Sequence, residues 1–246
     1  MSDLFAVVPP EVAEALRRMR DDLGRAAGSN LAGLILYGGL ARGRYRAGQS
    51  DVNVVVLLHD VSAPSLAAVA PALQAARRAA AVEPMLLTPG EVPAAAVSFP
   101  TKFLDIREHH VVLAGADPFA NLDVPREAVR QRVAQQLRNL ALRIRRRYLT
   151  AVDKPDAQTA ALAGIARPLA LETAVLLRLA DKPLPAEDRT AAIFEAAAVA
   201  FDLDRDALAR LAALRQEPGA KLDPSELFAN VLAIATRLAE RAEQLT

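Results

Sequence analysis

The sequence predicts an α+β protein, a small mixed β-sheet with helices that is followed by an all-α C-terminal helical bundle. Three observations carry this expectation. Short, β-branched apolar runs at 31–37, 51–58 and 82–87 are confined to the first half of the chain. From about Asn121 onward the apolar residues recur at helical spacing instead. A length of 246 residues suits two compact domains. The expected domains are 1–120 and 121–246.

The elements follow in order. Val12, Ala15, Leu16, Met19 and Leu23 lie at helical spacing between Pro9-Pro10 and Gly28, which predicts an amphipathic helix over Glu11–Ala27. Leu31–Tyr37 and the Val-rich Asp51–Leu58 are short and nearly continuous in apolar character, as neighbouring buried strands are. Ser65–Arg78 predicts a helix, and Val82–Leu87 a third strand that Pro84 marks as an edge. Thr88-Pro89-Gly90-Glu91 is a capping box with proline at the first helical position, so a short helix should start there. Phe99–Ile106 and His110–Leu113 are expected to be extended, closed by a turn at Gly115-Ala116-Asp117-Pro118. Helices are then expected over Pro125–Val152, Ala157–Ala180, Ala186–Phe201, Asp204–Gln216 and Pro224–Leu245, the last with an Asp223 N-cap. The first of these should bury Leu137, Leu140, Ala141, Ile144 and Tyr148 and leave its arginines in solvent.

Composition removes several classes of function. Without cysteine there is no disulfide, thiolate metal site or thiol nucleophile. Thirty Lys and Arg against 29 Asp and Glu leave a net charge of +1, so no overall field draws the chain to nucleic acid or an anionic membrane. Tryptophan is absent and aromatics are 4%, too few for a base-stacking surface. Residues 1–10 lack the basic start and cleavage site of a signal peptide, so a cytoplasmic location is expected. The alanine-rich stretches at 66–76 and 191–200 are too interrupted to span a bilayer.

The chemistry is concentrated between Gly38 and Leu58. Gly38-Gly39 after a strand lets the backbone approach a polyphosphate, and Arg42 or Arg44 could neutralise its charge. Asp51 and Asn53, two apart at the start of a strand, share one face, which is how a site places paired ligands on a divalent metal.

Gly38-Gly39-Leu40-Ala41-Arg42-Gly43 and Ser50-Asp51-Val52-Asn53 together resemble the nucleotidyltransferase domain of the polymerase-beta-like superfamily, in its minimal and aminoglycoside nucleotidyltransferase-like forms. The resemblance implies that Gly38, Gly39, Arg42, Ser50 and Asn53 face a nucleoside triphosphate, and that Asp51 is a catalytic metal ligand. It implies a further carboxylate on a later strand, which falls on Glu83, with Asp105 and Glu108 as alternatives. The cofactor implied is Mg²⁺. Asn53 stands where that superfamily carries its second metal-binding carboxylate, and a neutral amide weakens metal binding.

Three functions follow. The first is a catalytically degenerate protein that binds a nucleotide or a partner. The second is an active Mg²⁺-dependent enzyme moving NMP from an NTP to a small-molecule hydroxyl or a protein. The third is a nucleic-acid-binding protein that uses the basic helix Arg138, Arg143, Arg145, Arg146 and Arg147, and it has the net charge against it. His59 and the pair His109-His110 have no companions at metal-ligand spacing.

Overall fold

The structure, a computed structural model, describes residues 8–48, 50–185, 189–214 and 224–245. The chain divides into two compact units, Met1–Pro125 and Arg126–Thr246.

In the first unit, helix α1 (Pro10–Ala27) leads through a 3₁₀ turn at Gly28–Asn30 into strand β1 (Leu31–Tyr37). Strand β2 (Val52–Leu58), helix α2 (Ala63–Ala80) and strand β3 (Val82–Leu87) follow. Next come helices α3 (Val92–Ser98) and α4 (Pro100–Glu108) and strand β4 (His110–Gly115). The four strands form one sheet in the order β3-β2-β1-β4, with β1 antiparallel to β2 and β4, and β2 parallel to β3. A small mixed sheet is what the sequence predicts.

Side-chain alternation gives the sheet two faces. Leu34, Leu36, Val52, Val54, Val56 and Leu58 point to one and form a single core with Leu16, Met19 and Leu23 of α1 and Val69, Leu73 and Ala76 of α2. Ile35, Tyr37, Asn53, Val55 and Leu57 point to the other, and its aliphatic members are as thoroughly buried. β3 is an edge strand, and its proline sits where an edge tolerates one. The Val52 N–H donates to the Ala81 carbonyl, so odd-numbered residues of β3 aim their backbone at β2 and Pro84 aims outward.

One segment differs from expectation. Phe99–Ile106 is not extended but lies mostly in helix α4, with Pro100 at its first position and Pro100, Phe103, Leu104 and Ile106 buried. An i, i+3, i+4 apolar pattern behind a first-turn proline outweighs the β-propensity of Phe and Ile. The capping box forms as the sequence predicts: the Glu91 carboxylate accepts from the Thr88 N–H at 2.7 Å, and the turn Pro89–Glu91 runs into α3.

The second unit is helical: α5 (Arg126–Ala151), α6 (Pro155–Leu179), α7 (Thr190–Phe201), α8 (Arg205–Ala213) and α9 (Pro224–Gln244). Helix α6 contacts each of the other four. By length and composition alone it could cross a membrane, yet Leu162, Ile165, Leu169, Leu176 and Leu177 are buried in the bundle. On α5, Leu137, Leu140, Ala141 and Ile144 are buried as expected. Tyr148 is a correction: it stays 37% exposed and lays its ring 5.4 Å from that of Phe228. The expected Asp223 cap, the start of the helix at Ala186 and the end of the one at Gln216 lie outside the described residues.

Candidate functional site at one end of the sheet

The strand directions gather four connections at one end of the sheet. β1 ends there, whereas β2, β3 and β4 begin there. The glycine loop therefore shares this end with Ser50-Asp51 and with the last turns of α2 and α4. Register aligns Tyr37 with Asn53 and with His110, and Asn53 with Glu83, so Glu83, Asn53, Tyr37 and His110 form one row across the strands.

The glycine loop is closed by its own backbone. Gly38 has φ 77°, a conformation side chains rarely adopt, and the Gly38 and Gly39 carbonyls accept from the Arg42 N–H at 3.2 Å and the Arg44 N–H at 2.8 Å. Leu40 anchors the loop in the core. A Cβ on Gly38 would stand 3.3 Å from Asn53 Nδ2, so Gly38 is the residue that lets the loop lie against the Asn53 side chain. Above Gly39 a Cβ would meet nothing nearer than the Arg44 carbonyl at 3.8 Å. Ser50 closes the following segment: its Oγ accepts from the Arg46 N–H at 3.0 Å, and its N–H donates to the Arg46 carbonyl at 2.9 Å.

The charged groups are placed as follows. Asp51 is exposed, one residue before β2. Glu83 is half exposed and its Oε1 lies 2.8 Å from Arg77 Nη2, in the last turn of α2. Arg42 is largely buried in an ion pair with Asp105 of α4, and His109 Nδ1 lies 3.6 Å from the same carboxylate. Asp105, an alternative third carboxylate, is thus occupied with the loop arginine. Glu108, the other alternative, lies 3.9 Å from Arg107.

His110 is tied at both ring nitrogens, with Nδ1 2.7 Å from the Ile106 carbonyl and Nε2 3.0 Å from Asp117 Oδ2. Neither nitrogen is open to abstract a substrate proton. Burial alone would raise the Asp117 carboxyl, but hydrogen bonds from His110 and from the Phe119 and Ala120 N–H groups overcome it and hold the group below its ordinary value. Burial pushes the Tyr37 hydroxyl up, which keeps it protonated. At the far end of β2, beyond His59, Asp60 accepts from Ser62 and Ser65 at the start of α2 and is held below its usual range by them.

These donors do not fit a catalytic metal pair. Two-metal transfer chemistry uses clustered carboxylates, and here Asn53 contributes a neutral amide while Glu83 is engaged by Arg77. A guanidinium about 4 Å away opposes a dication by about 2 kcal/mol in bulk water, and by more as water is excluded. No group of three or more metal-ligating side chains is found among the described residues.

The basic helix is divided among structural contacts. Arg138 pairs with Glu243 at 2.5 Å, and Arg147 donates to the Ala161 carbonyl at 3.2 Å. Arg143, Arg145 and Arg146 are exposed. Sequence reasoning did not single out Arg77, Tyr37 or Asp117. The signal for Arg77 was available in its position, in the last turn of a helix that feeds straight into the strand carrying Glu83.

No protein-family model and no curated protein matches the sequence. Among solved structures, the chain is similar to the crystal structure of spectinomycin adenyltransferase AAD(9) from Enterococcus faecialis with ATP and spectinomycin. The likeness covers 94% of this chain and 99% of that one, with a TM-score of 0.53 at 15% identity. It is a likeness of fold, and the fold is nucleotidyltransferase-like.

Proposed function

We propose that this chain binds a nucleoside triphosphate at the Gly38–Asn53 end of the sheet and is degenerate as a nucleotidyltransferase. The observation that supports the reading is the juxtaposition of Gly38, Asn53 and Glu83: the side chain against the glycine loop is an amide, and the carboxylate in register with it is paired with an arginine. The neighbour of like fold was crystallised with ATP and spectinomycin, which supports a nucleotide as ligand. Gly38 and Gly39 would pass the backbone close to phosphate, with Arg42 and Arg44 beside it.

The runner-up is an active Mg²⁺-dependent transferase moving NMP to a small-molecule hydroxyl or a protein. In its favour is the Gly38-Gly39 and Ser50-Asp51 string, whose two parts follow β1 and precede β2 where these strands pair, Tyr37 against Asn53. Titration calorimetry with each NTP, joined to a transfer assay using α-labelled NTP with Mg²⁺ or Mn²⁺, separates the two. The expected result is binding without transfer. Turnover at about 1 s⁻¹ or faster, an ordinary enzyme rate, establishes the active reading instead.

A further inference from the structure

We propose that Arg77 takes the charge-balancing place of a divalent cation in this site, so that a nucleoside triphosphate is held there without metal. The inference rests on the nucleotide-binding reading and adds to it how the phosphate charge is met. A site of clustered carboxylates repels a tetra-anionic triphosphate unless cations bridge the two. Here that repulsion has been taken apart residue by residue. Asn53 removes one negative charge, Arg77 balances Glu83 at 2.8 Å, and Arg42 balances Asp105. Asp51 follows a loop that carries Arg44 and Arg46, and all three residues are exposed. Taken together, Asp51, Glu83 and Asp105 face four arginines in Arg42, Arg44, Arg46 and Arg77, so these groups sum to a charge of +1 before any metal binds.

The geometry suits Arg77 for this. The last turn of α2 brings its side chain around the edge strand to the Glu83 carboxylate, which stands beside Asn53 in the strand register. With 67% of the side chain exposed and the pair to Glu83 made through Nη2, the guanidinium keeps further N–H donors to offer a phosphate. Its planar fork matches phosphate oxygens bidentately, as a lysine at the same place would not. Two helix C-termini, those of α2 and α4, also face this end. The negative ends of their dipoles disfavour an anion, so basic side chains must carry the attraction.

The test is equilibrium binding of ATP, GTP, CTP and UTP to the full chain in excess EDTA and in excess Mg²⁺, together with Mn²⁺ alone followed by electron paramagnetic resonance. The expected results are NTP affinities that agree within about threefold in the two buffers, no stoichiometric Mn²⁺ site, and a loss of about tenfold or more in EDTA for Arg77→Met, the scale of one charge-assisted phosphate contact. Asn53→Asp combined with Arg77→Met should acquire a Mn²⁺ site. An NTP affinity that collapses in EDTA, a Mn²⁺ site in the natural sequence, or an unchanged Arg77→Met overturns the proposal and leaves nucleotide binding standing. No NTP binding in either buffer overturns both. The EDTA comparison and the Mn²⁺ titration use the natural sequence and do not depend on any variant folding.

Discussion

Gly48 and Gly115 have nearly the same φ, 72° and 74°, in different surroundings. Around Gly48 there is open space, whereas a Cβ on Gly115 would stand 2.2 Å from the Ala32 carbonyl oxygen and 2.8 Å from the Gly33 Cα. Gly48→Ala should cost about 1 kcal/mol, the price of the left-handed conformation. Gly115→Ala should cost about 3 kcal/mol or more, because strand backbone cannot move aside. Urea melts of the two variants measure the difference. Glu172 offers a test by pH. Burial raises its carboxyl above the ordinary value despite Arg132 and Arg143 nearby, so the folded state takes up this proton before the unfolded state does as pH falls. Its contribution to stability is therefore fully present below the unfolded pKa and lost as pH rises through the folded one. Glu172→Gln should raise the melting temperature at pH 8 and leave it unchanged at pH 4. The nearness of Gly38 to Asn53 was legible in the sequence because a local string puts both at one strand end. Arg77 was not, because its pairing with Glu83 depends on where a helix ends relative to a strand.

Helix α5 is decided by what each arginine touches rather than by their number. Arg147→Ala removes a donor from the Ala161 carbonyl and should destabilise by about 1 kcal/mol. Arg145→Ala, in solvent, should stay within about 0.5 kcal/mol of neutral, and so should Arg138→Ala, whose partner Glu243 is as exposed as it is. Thermal melts rank the three. The three become indistinguishable if Arg147 is only a surface charge. Along the chain, β1 was legible to the residue, since a seven-residue apolar run between Asn30 and Gly38 leaves no other reading. The capping box was legible too, being a contact over three residues. Helix α4 was not: Phe99, Phe103 and Ile106 satisfy strand propensity, and Pro100 indicates a helix only when Phe103 and Leu104 are counted three and four residues behind it. Tyr148 was misjudged because helical spacing assigns a face but not how deep that face is covered.

The two units share almost no net charge between them, and this bears on the third function that the sequence left open. Polyelectrolyte binding requires several phosphates to be neutralised at once. With Arg138 and Arg147 already engaged, mixed-sequence RNA and DNA should bind no better than about 10⁻⁴ M at physiological salt, the weak end of non-specific affinity. Fluorescence anisotropy checks it, and a micromolar constant with a steep salt dependence would restore the nucleic-acid reading. The passage from sheet to bundle was legible as a change of period after Asn121, since a helix and a strand bury their residues at different intervals. Pro84 has a consequence during synthesis. β1, β2 and β3 all come from residues 31–87, so this part of the sheet can assemble while the helical unit is still being translated. In that interval the outer rim of β3 is the place where a second nascent chain could zip on and misassemble. A rim that lacks a hydrogen-bond donor at its midpoint gives such a chain no continuous ladder to follow, so one imino acid guards the half-made protein against its neighbours on the polysome.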